Sequence, residues 1–191
     1  MFSGKSEELI RRIRRAEIAR QRTQIFKPAI DTRFDEKRII SRDNRGLDAI
    51  AVATVAELRS KVLFGVKVIG VDEVQFFDDQ IVEVCMEMAD AGVRVIVAGL
   101  DQDYLRRPFG PMPQLLAVAE YVSKMHAVCV RCGSPAHYTQ RVAGGNSQIE
   151  IGDGSYEARC RMCYEPYRAD ALNDRSPERE RDTVGAIIGT E

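Results

Sequence analysis

The chain has 191 residues, 45% of them hydrophobic, and its 28 Lys and Arg against 29 Asp and Glu leave a formal net charge of −1. That is enough apolar content for a real core, as one domain or one plus an appendage, and the near-neutral balance supplies no global field that demands nucleic acid or an anionic membrane. No apolar run approaches the roughly 20 residues that span a bilayer, and no signal-peptide pattern opens the chain, which points to the cytoplasm. Of the five cysteines, four fall in two Cys-x-x-Cys pairs, which in a reducing compartment read as metal ligands before disulfides.

Met1-Phe2-Ser3-Gly4-Lys5-Ser6 carries the end of a P-loop pattern, whose first glycine falls two residues before Met1. Gly4 lets backbone approach a phosphate and take a positive φ. Lys5 can reach β- and γ-phosphate oxygens, and the Ser6 hydroxyl can ligate Mg²⁺. A helix is expected from Gly4 to about Gln21, with Leu9, Ile10, Ile13, Ala16 and Ile18 as its apolar stripe. Its arginines (Arg11, Arg12, Arg14, Arg15, Arg20 and Arg22) read as a solvated or subunit-facing surface.

Gln24 to Lys27 reads as a short strand ended by Pro28, and the charged composition from Asp31 to Gly46 suggests a mobile loop. A strand over Ala49 to Ala53 is followed by Thr54, which can cap a helix carrying Val55, Leu58 and Val62. The run from Val66 to Val71 is nearly all apolar, as in a strand covered on both faces of a parallel sheet. Asp78 can cap a helix through Ile81, Val84, Cys85 and Met88 that ends at Gly92. Arg94 to Ala98 is expected to be a second buried strand, followed by a Gly/Pro-punctuated loop from Gly99 to Pro113 and a helix from about Gln114 to Val122. This alternation predicts an α/β fold with a mostly parallel sheet. From His126 to Tyr167 the chain turns to cysteines, glycines and short segments, and residues 168–191 read as a charged, disordered tail. The expected domains are thus 1–125, 126–167 and that tail.

Three groups of residues carry chemistry. Asp72 and Glu73 end a buried strand, at the edge of an open α/β sheet where ligands collect. Asp72 can hold Mg²⁺, and Glu73 can orient or deprotonate a nucleophile. Cys129, Cys132, Cys160 and Cys163 supply four thiolates, the donor set of a closed, structural zinc site, which leaves His126 and His137 as ordinary loop residues and Cys85 as core. Phe76 and Phe77 read first as core. Tyr104 and Phe109, in the loop at the ligand-collecting edge, suit core packing and stacking on a planar base equally.

Together, the Met1–Ser6 opening, Asp31-Thr32-Arg33, Asp72-Glu73-Val74-Gln75-Phe76-Phe77, Gly99-Leu100-Asp101, Arg107-Pro108-Phe109-Gly110 and the four cysteines resemble the type II thymidine kinases, a P-loop α/β domain with a zinc-held lasso. The resemblance spans Met1 to about Tyr167 in order and spacing. It implies transfer of the γ-phosphoryl of ATP to the 5′-hydroxyl of thymidine, giving thymidine monophosphate for DNA precursor salvage, with Glu73 as general base. It groups Ser3, Gly4, Lys5, Ser6, Asp31, Arg33, Asp72, Glu73 and Gln75 around ATP and Mg²⁺. It places Met1, Phe76, Leu100, Tyr104, Phe109, Thr139, Ile149, Ile151, Gly152 and Tyr156 around thymidine, and it implies a homotetramer. The family begins with a strand feeding the whole glycine-rich loop. That strand is expected to be missing here, with weakened ATP affinity and a destabilised sheet if the molecule starts at Met1. Two other readings stay open: a P-loop ATPase in which Glu73 activates water, and a zinc ribbon that binds nucleic acid.

Overall fold

A computed structural model describes residues 1–30, 38–40, 46–143 and 153–166. Helix α1 (Lys5–Ile18) leads into strand β1 (Thr23–Pro28), followed by β2 (Arg38–Ile40), β3 (Gly46–Asp48) and β4 (Ile50–Val52). Helix α2 (Val55–Lys61), β5 (Val68–Val71), α3 (Gln80–Asp90), β6 (Arg94–Val97) and α4 (Met112–Val118) complete the alternating part. The remaining strands are β7 (Ala127–Val128), β8 (Pro135–Ala136), β9 (Tyr138–Arg141) and β10 (Tyr156–Arg159).

The main sheet has the order β4-β1-β5-β6, and all its pairings are parallel. Successive strand residues face opposite ways, and the core divides accordingly. Ile25, Val68 and Ile96 face α1 and meet its Leu9, Ile10, Ile13 and Ala16. Phe26, Ile69 and Val71 face the other side, where α2, α3 and α4 bring Leu58, Ile81, Val84 and Met112. Gly70 belongs to the α1 face, where a Cβ would lie 3.2 Å from the Ile13 side chain and 3.3 Å from that of Leu9. The missing side chain is what lets α1 sit so close to the sheet.

Several expectations match closely. The Thr54 hydroxyl accepts from the Glu57 N–H at 3.1 Å and starts α2. Asp78 Oδ1 accepts from the Gln80 N–H at 3.0 Å at the start of α3, and Gly92 follows that helix at φ 79°. Cys85 is buried in the core, and burial pushes its thiol up to about 12.

Others are corrected. Ile18 stands off the α1 stripe, 82% exposed, because the helix ends there and leaves the sheet. Pro28 closes β1 from within, and its missing N–H costs the ladder nothing at the strand's last residue. Strand β6 is the edge of the four described strands, and of its residues only Ile96 is buried. Helix α4 begins at Met112, pre-set by the fixed φ of Pro111, and stops at Val118. Within the charged stretch expected to be a mobile loop, β2 pairs antiparallel with β3.

The cysteine-rich part consists of two small antiparallel ribbons, β7–β8 and β9–β10. Tyr156 lies opposite Arg141, and Arg159 lies opposite Tyr138. Asp31, Arg33, Ile149, Ile151, Gly152 and the 168–191 tail lie outside the described residues.

Leu58 is fully buried where α2 meets the sheet. Leu58→Ala is expected to cost about 2–5 kcal/mol, read as a lower denaturation midpoint in urea at an unchanged slope.

Candidate active site

Strand β5 is central and ends at the sheet's carboxyl edge, where Asp72 and Glu73 follow it directly. Asp72 accepts a hydrogen bond from the Ser6 hydroxyl at 2.9 Å and one from the Glu73 N–H at 3.0 Å. The first bond joins the start of α1 to the end of β5 and brings together two residues far apart in sequence. Burial and the neighbouring Glu73 carboxylate push the Asp72 carboxyl up to about 7, against the partial relief of Ser6 and Lys5. A hydroxyl beside a desolvated carboxylate is the kind of oxygen pair a Mg²⁺ ion takes as ligands. Gly4, just before α1, has φ 77°, the left-handed conformation that glycine adopts without strain.

Glu73 is one of four non-glycine residues at positive φ among the described residues, at 48°. Such a conformation persists only where the surroundings over-determine it, and here Gln75 does so. The Gln75 side chain is buried, donates from Nε2 to Glu73 Oε2, and accepts from the Leu100 N–H at 3.1 Å. One carboxamide therefore ties the carboxylate after β5 to the loop after β6. The fit around it is tight. A Cβ on Gly99 would come within 2.8 Å of Gln75 Oε1 and of Met112 Sδ, and one on Gly110, at φ 49°, within 2.4 Å of the Gln75 carbonyl oxygen.

The aromatic residues gather beside this bridge. Phe76 and Phe109 meet edge to face with centroids 5.7 Å apart. Tyr104 and Tyr156 are both buried, and the Arg141 guanidinium lies over both rings. Thr139 sits on the same face of β9 as Arg141, and its hydroxyl accepts from the Met1 amine at 3.0 Å. A cavity of about 100 Å³ opens between Met1, Ser3 and Lys5, the Gly99–Gln102 segment, and the His137–Thr139 segment. It touches neither Glu73 nor the two tyrosines.

The four cysteine ligand atoms lie within 4.8 Å of one another, with Cys132 and Cys160 Sγ 3.6 Å apart. Tetrahedral Zn–S bonds of about 2.3 Å require sulfurs at about this spacing, so the donor set fits one metal ion. The thiols share their protons unevenly. Burial resists ionisation of Cys129, but N–H groups of Cys160, Arg131 and Cys132 outweigh it and bring the thiol down to about 6. Hydrogen bonds with Cys132 and Cys160 push Cys163 up to about 12. Four thiolates this close would repel, and a cation bound among them would be what holds all four deprotonated.

The thymidine kinase family model matches residues 1–164. The chain belongs to the thymidine kinase family. It is 50% identical over 169 residues to a thymidine kinase from Rhodothermus sp. (strain ITI 518), covering 88% of this chain and 79% of that protein. A thymidine kinase from Bacteroides thetaiotaomicron is 49% identical over 167 residues, covering 86% and 82% respectively. One from Bdellovibrio bacteriovorus is 51% identical over 167 residues, covering 87% and 82%.

As a member of the thymidine kinase family, the chain shows which of its expected site residues lie together. Ser6 meets Asp72, Glu73 meets Gln75, Gln75 meets Leu100, Phe76 meets Phe109, and Met1 meets Thr139. Gln75, expected beside ATP, has its side chain turned inward as the bridge just described. Sequence reasoning missed Arg141, Arg106 and Tyr164, which join the loop to the ribbon. The available signal was an arginine on the same strand face as Thr139, opposite a tyrosine.

Gln75→Leu keeps most of the volume but removes the acceptor of the Leu100 N–H and the donor to Glu73 Oε2. A loss of about 1–3 kcal/mol is expected in urea unfolding, and a retained midpoint would show that the bridge contributes little.

Proposed function

We propose that the protein is a thymidine kinase in the full sense: it transfers the γ-phosphoryl of ATP to the 5′-hydroxyl of thymidine. The observation that carries this reading is the acidic pair at the end of β5, with Asp72 bonded to Ser6 at the start of α1 and Glu73 held by Gln75. The two carboxylates take different work because their surroundings differ. Asp72 is buried and bonded to a hydroxyl; Glu73 is partly exposed.

Glu73 accepts the proton of the 5′-hydroxyl as that oxygen attacks the γ-phosphorus, and the bond to the β-phosphate oxygen breaks to leave ADP. Lys5 balances charge on the transferring group, with Ser3, Gly4 and the first amides of α1 beside the phosphates. Ser6 and Asp72 hold Mg²⁺, which when bound neutralises phosphate charge. Asp31 and Arg33 are assigned to ATP by the family resemblance alone. Little covalent chemistry is asked of the protein, so positioning dominates.

Thymidine lies between the loop after β6 and the β9–β10 ribbon. Phe76, Leu100, Tyr104 and Phe109 wall one side, and Met1, Thr139 and Tyr156 the other; Ile149, Ile151 and Gly152 are assigned to thymidine by the family resemblance alone. Aromatic faces cover the base, and backbone polar groups meet its edge. The four cysteines hold zinc, which shapes that ribbon. We take the enzyme to be cytoplasmic and a homo-oligomer, a tetramer, with the arginine-bearing surface of α1 toward a neighbouring subunit. Among the described residues no helix is long and apolar enough to cross a membrane.

Glu73→Gln is expected to lower kcat for thymidine roughly 10²–10⁴-fold with both KM values little changed, measured as thymidine-dependent release of ADP. Full activity in this variant refutes the general-base role. Release of ADP that is indifferent to thymidine favours a P-loop ATPase instead, and tight, salt-sensitive binding of single-stranded DNA favours a nucleic-acid module. Metal analysis is expected to find one zinc ion per chain. Its removal by a chelator is expected to raise the thymidine KM before the ATP KM, because the thiolates hold the nucleoside side of the site.

A further inference from the structure

The loop after β6 and the β9–β10 ribbon exchange arginines. Arg106 of the loop lies over Tyr138 and Tyr164, its guanidinium carbon 5.2 Å and 4.9 Å from the ring centroids. In the opposite direction, Arg141 of β9 lies over Tyr104 of the loop at 3.7 Å and over Tyr156 of β10 at 5.2 Å. Two hydrogen bonds lock the exchange. Arg141 Nη2 donates to the Tyr156 hydroxyl at 2.6 Å, and the Tyr164 hydroxyl donates to the Tyr104 carbonyl at 2.8 Å.

Arg141 is 3% exposed. A guanidinium tolerates such burial better than an ammonium, because it is planar, weakly hydrated and able to stack on an aromatic face while its fork donates in plane. At 3.7 Å from the centroid it is in van der Waals contact with the Tyr104 ring and occupies one of its faces. Any planar ligand must therefore meet the other face or the edge of Tyr104. The same group donates to Tyr156, so one rigid spacer sets the separation of the two tyrosines. Thr139, two residues back on the same strand face, moves with it.

We propose that Arg141 is a positioning residue that fixes the width and orientation of the nucleoside slot, and so its selectivity among pyrimidine nucleosides. This rests on the reading above that Tyr104, Thr139 and Tyr156 wall the thymidine site. Arg141 acts through the tyrosines and touches no reacting atom. Its influence falls on nucleoside binding and leaves the ATP side alone.

The test uses the zinc-loaded full chain with Arg141→Lys, which keeps the charge but loses the planar fork, alongside Arg141→Ala and Tyr156→Phe. Thymidine and ATP KM values, kcat, the thymidine-to-deoxyuridine ratio of kcat/KM, bound zinc and near-ultraviolet circular dichroism are measured together. The chain has no Trp and six Tyr, so the tyrosine band near 275 nm dominates that spectrum. Arg141→Lys is expected to raise the thymidine KM about tenfold or more, the equivalent of losing one charged hydrogen bond, and to shrink the thymidine preference. The ATP KM and zinc content are expected to stay within about twofold of the parent, since neither the phosphate side nor the thiolates are touched. Tyr156→Phe keeps the stack and loses the bond, so its thymidine KM is expected to fall between the two.

An unchanged thymidine KM in Arg141→Lys overturns the proposal, as does a parallel rise of both KM values with loss of zinc, which would make Arg141 a folding residue only. A parent enzyme that ignores thymidine defeats the functional reading and this proposal with it, whereas an active parent with an indifferent Arg141→Lys defeats the proposal alone. Arg141→Ala opens a hole beneath two rings and can fail to fold; Arg141→Lys decides the matter.

Discussion

Asp72 carries the constraint on which the rest of the site depends. A carboxylate buried at the end of a central strand keeps its charge only at a cost, and the like charge of Glu73 adds to it. Its carboxyl is pushed from the ordinary 3.8 up to about 7. Below 3.8 the folded and unfolded chains both carry the proton, and no penalty exists. Between 3.8 and about 7 the folded chain retains a proton that the unfolded chain releases, so this group's contribution to stability falls as pH rises. At neutral pH the fold therefore holds a charge it would shed, and the Ser6 hydroxyl and Glu73 N–H relieve only part of the strain. A cation before the carboxylate would remove the penalty, and it would do so at the same bond that fixes α1 on β5.

Glu73 has the opposite problem, which is orientation. Its left-handed backbone turns the chain sharply after β5. Gln75 then fastens it from behind. The two glycines that crowd Gln75 belong to this arrangement, because any side chain at Gly99 or Gly110 would collide with the residue bonded to Glu73. The geometry around Glu73 is set by close packing against a carboxamide, and the loop after β6 is drawn into register by the same group through Leu100.

Much of this was legible in the sequence, because its signals are local. The apolar run of β5 implied a strand covered on both faces, and Val68 and Ile69 indeed face opposite helices. Thr54, Asp78 and Gly92 marked helix ends by their own chemistry. The spacing of the cysteines announced a four-thiolate cluster, and their sulfurs converge. What stayed hidden was set by tertiary context. The apolar letters of β6 do not reveal an edge, and those of α4 continue past its last residue. The ambiguity over Tyr104 also had a physical source: its ring is buried against an arginine from a distant strand, and no periodicity encodes that partner.

The ribbon shows why the distant partners matter. A two-stranded antiparallel ribbon is marginal on its own in water, and β9–β10 has only four residue pairs. At the Arg159–Tyr138 end, β10 runs directly into Cys160 and the thiolate cluster. At the Tyr156–Arg141 end, the guanidinium reaches across to Tyr104. The two anchors lie about 10 Å apart, three strand steps, and they differ in kind. The converging cysteines, which could hold a metal ion, anchor one end of the ribbon without reference to the α/β part, whereas the arginine–tyrosine contact fixes its place on that part. Loss of the first would let the strands separate; loss of the second would leave an intact ribbon docked loosely. Thr139 lies between the anchors, so its position relative to the Glu73 carboxylate requires both.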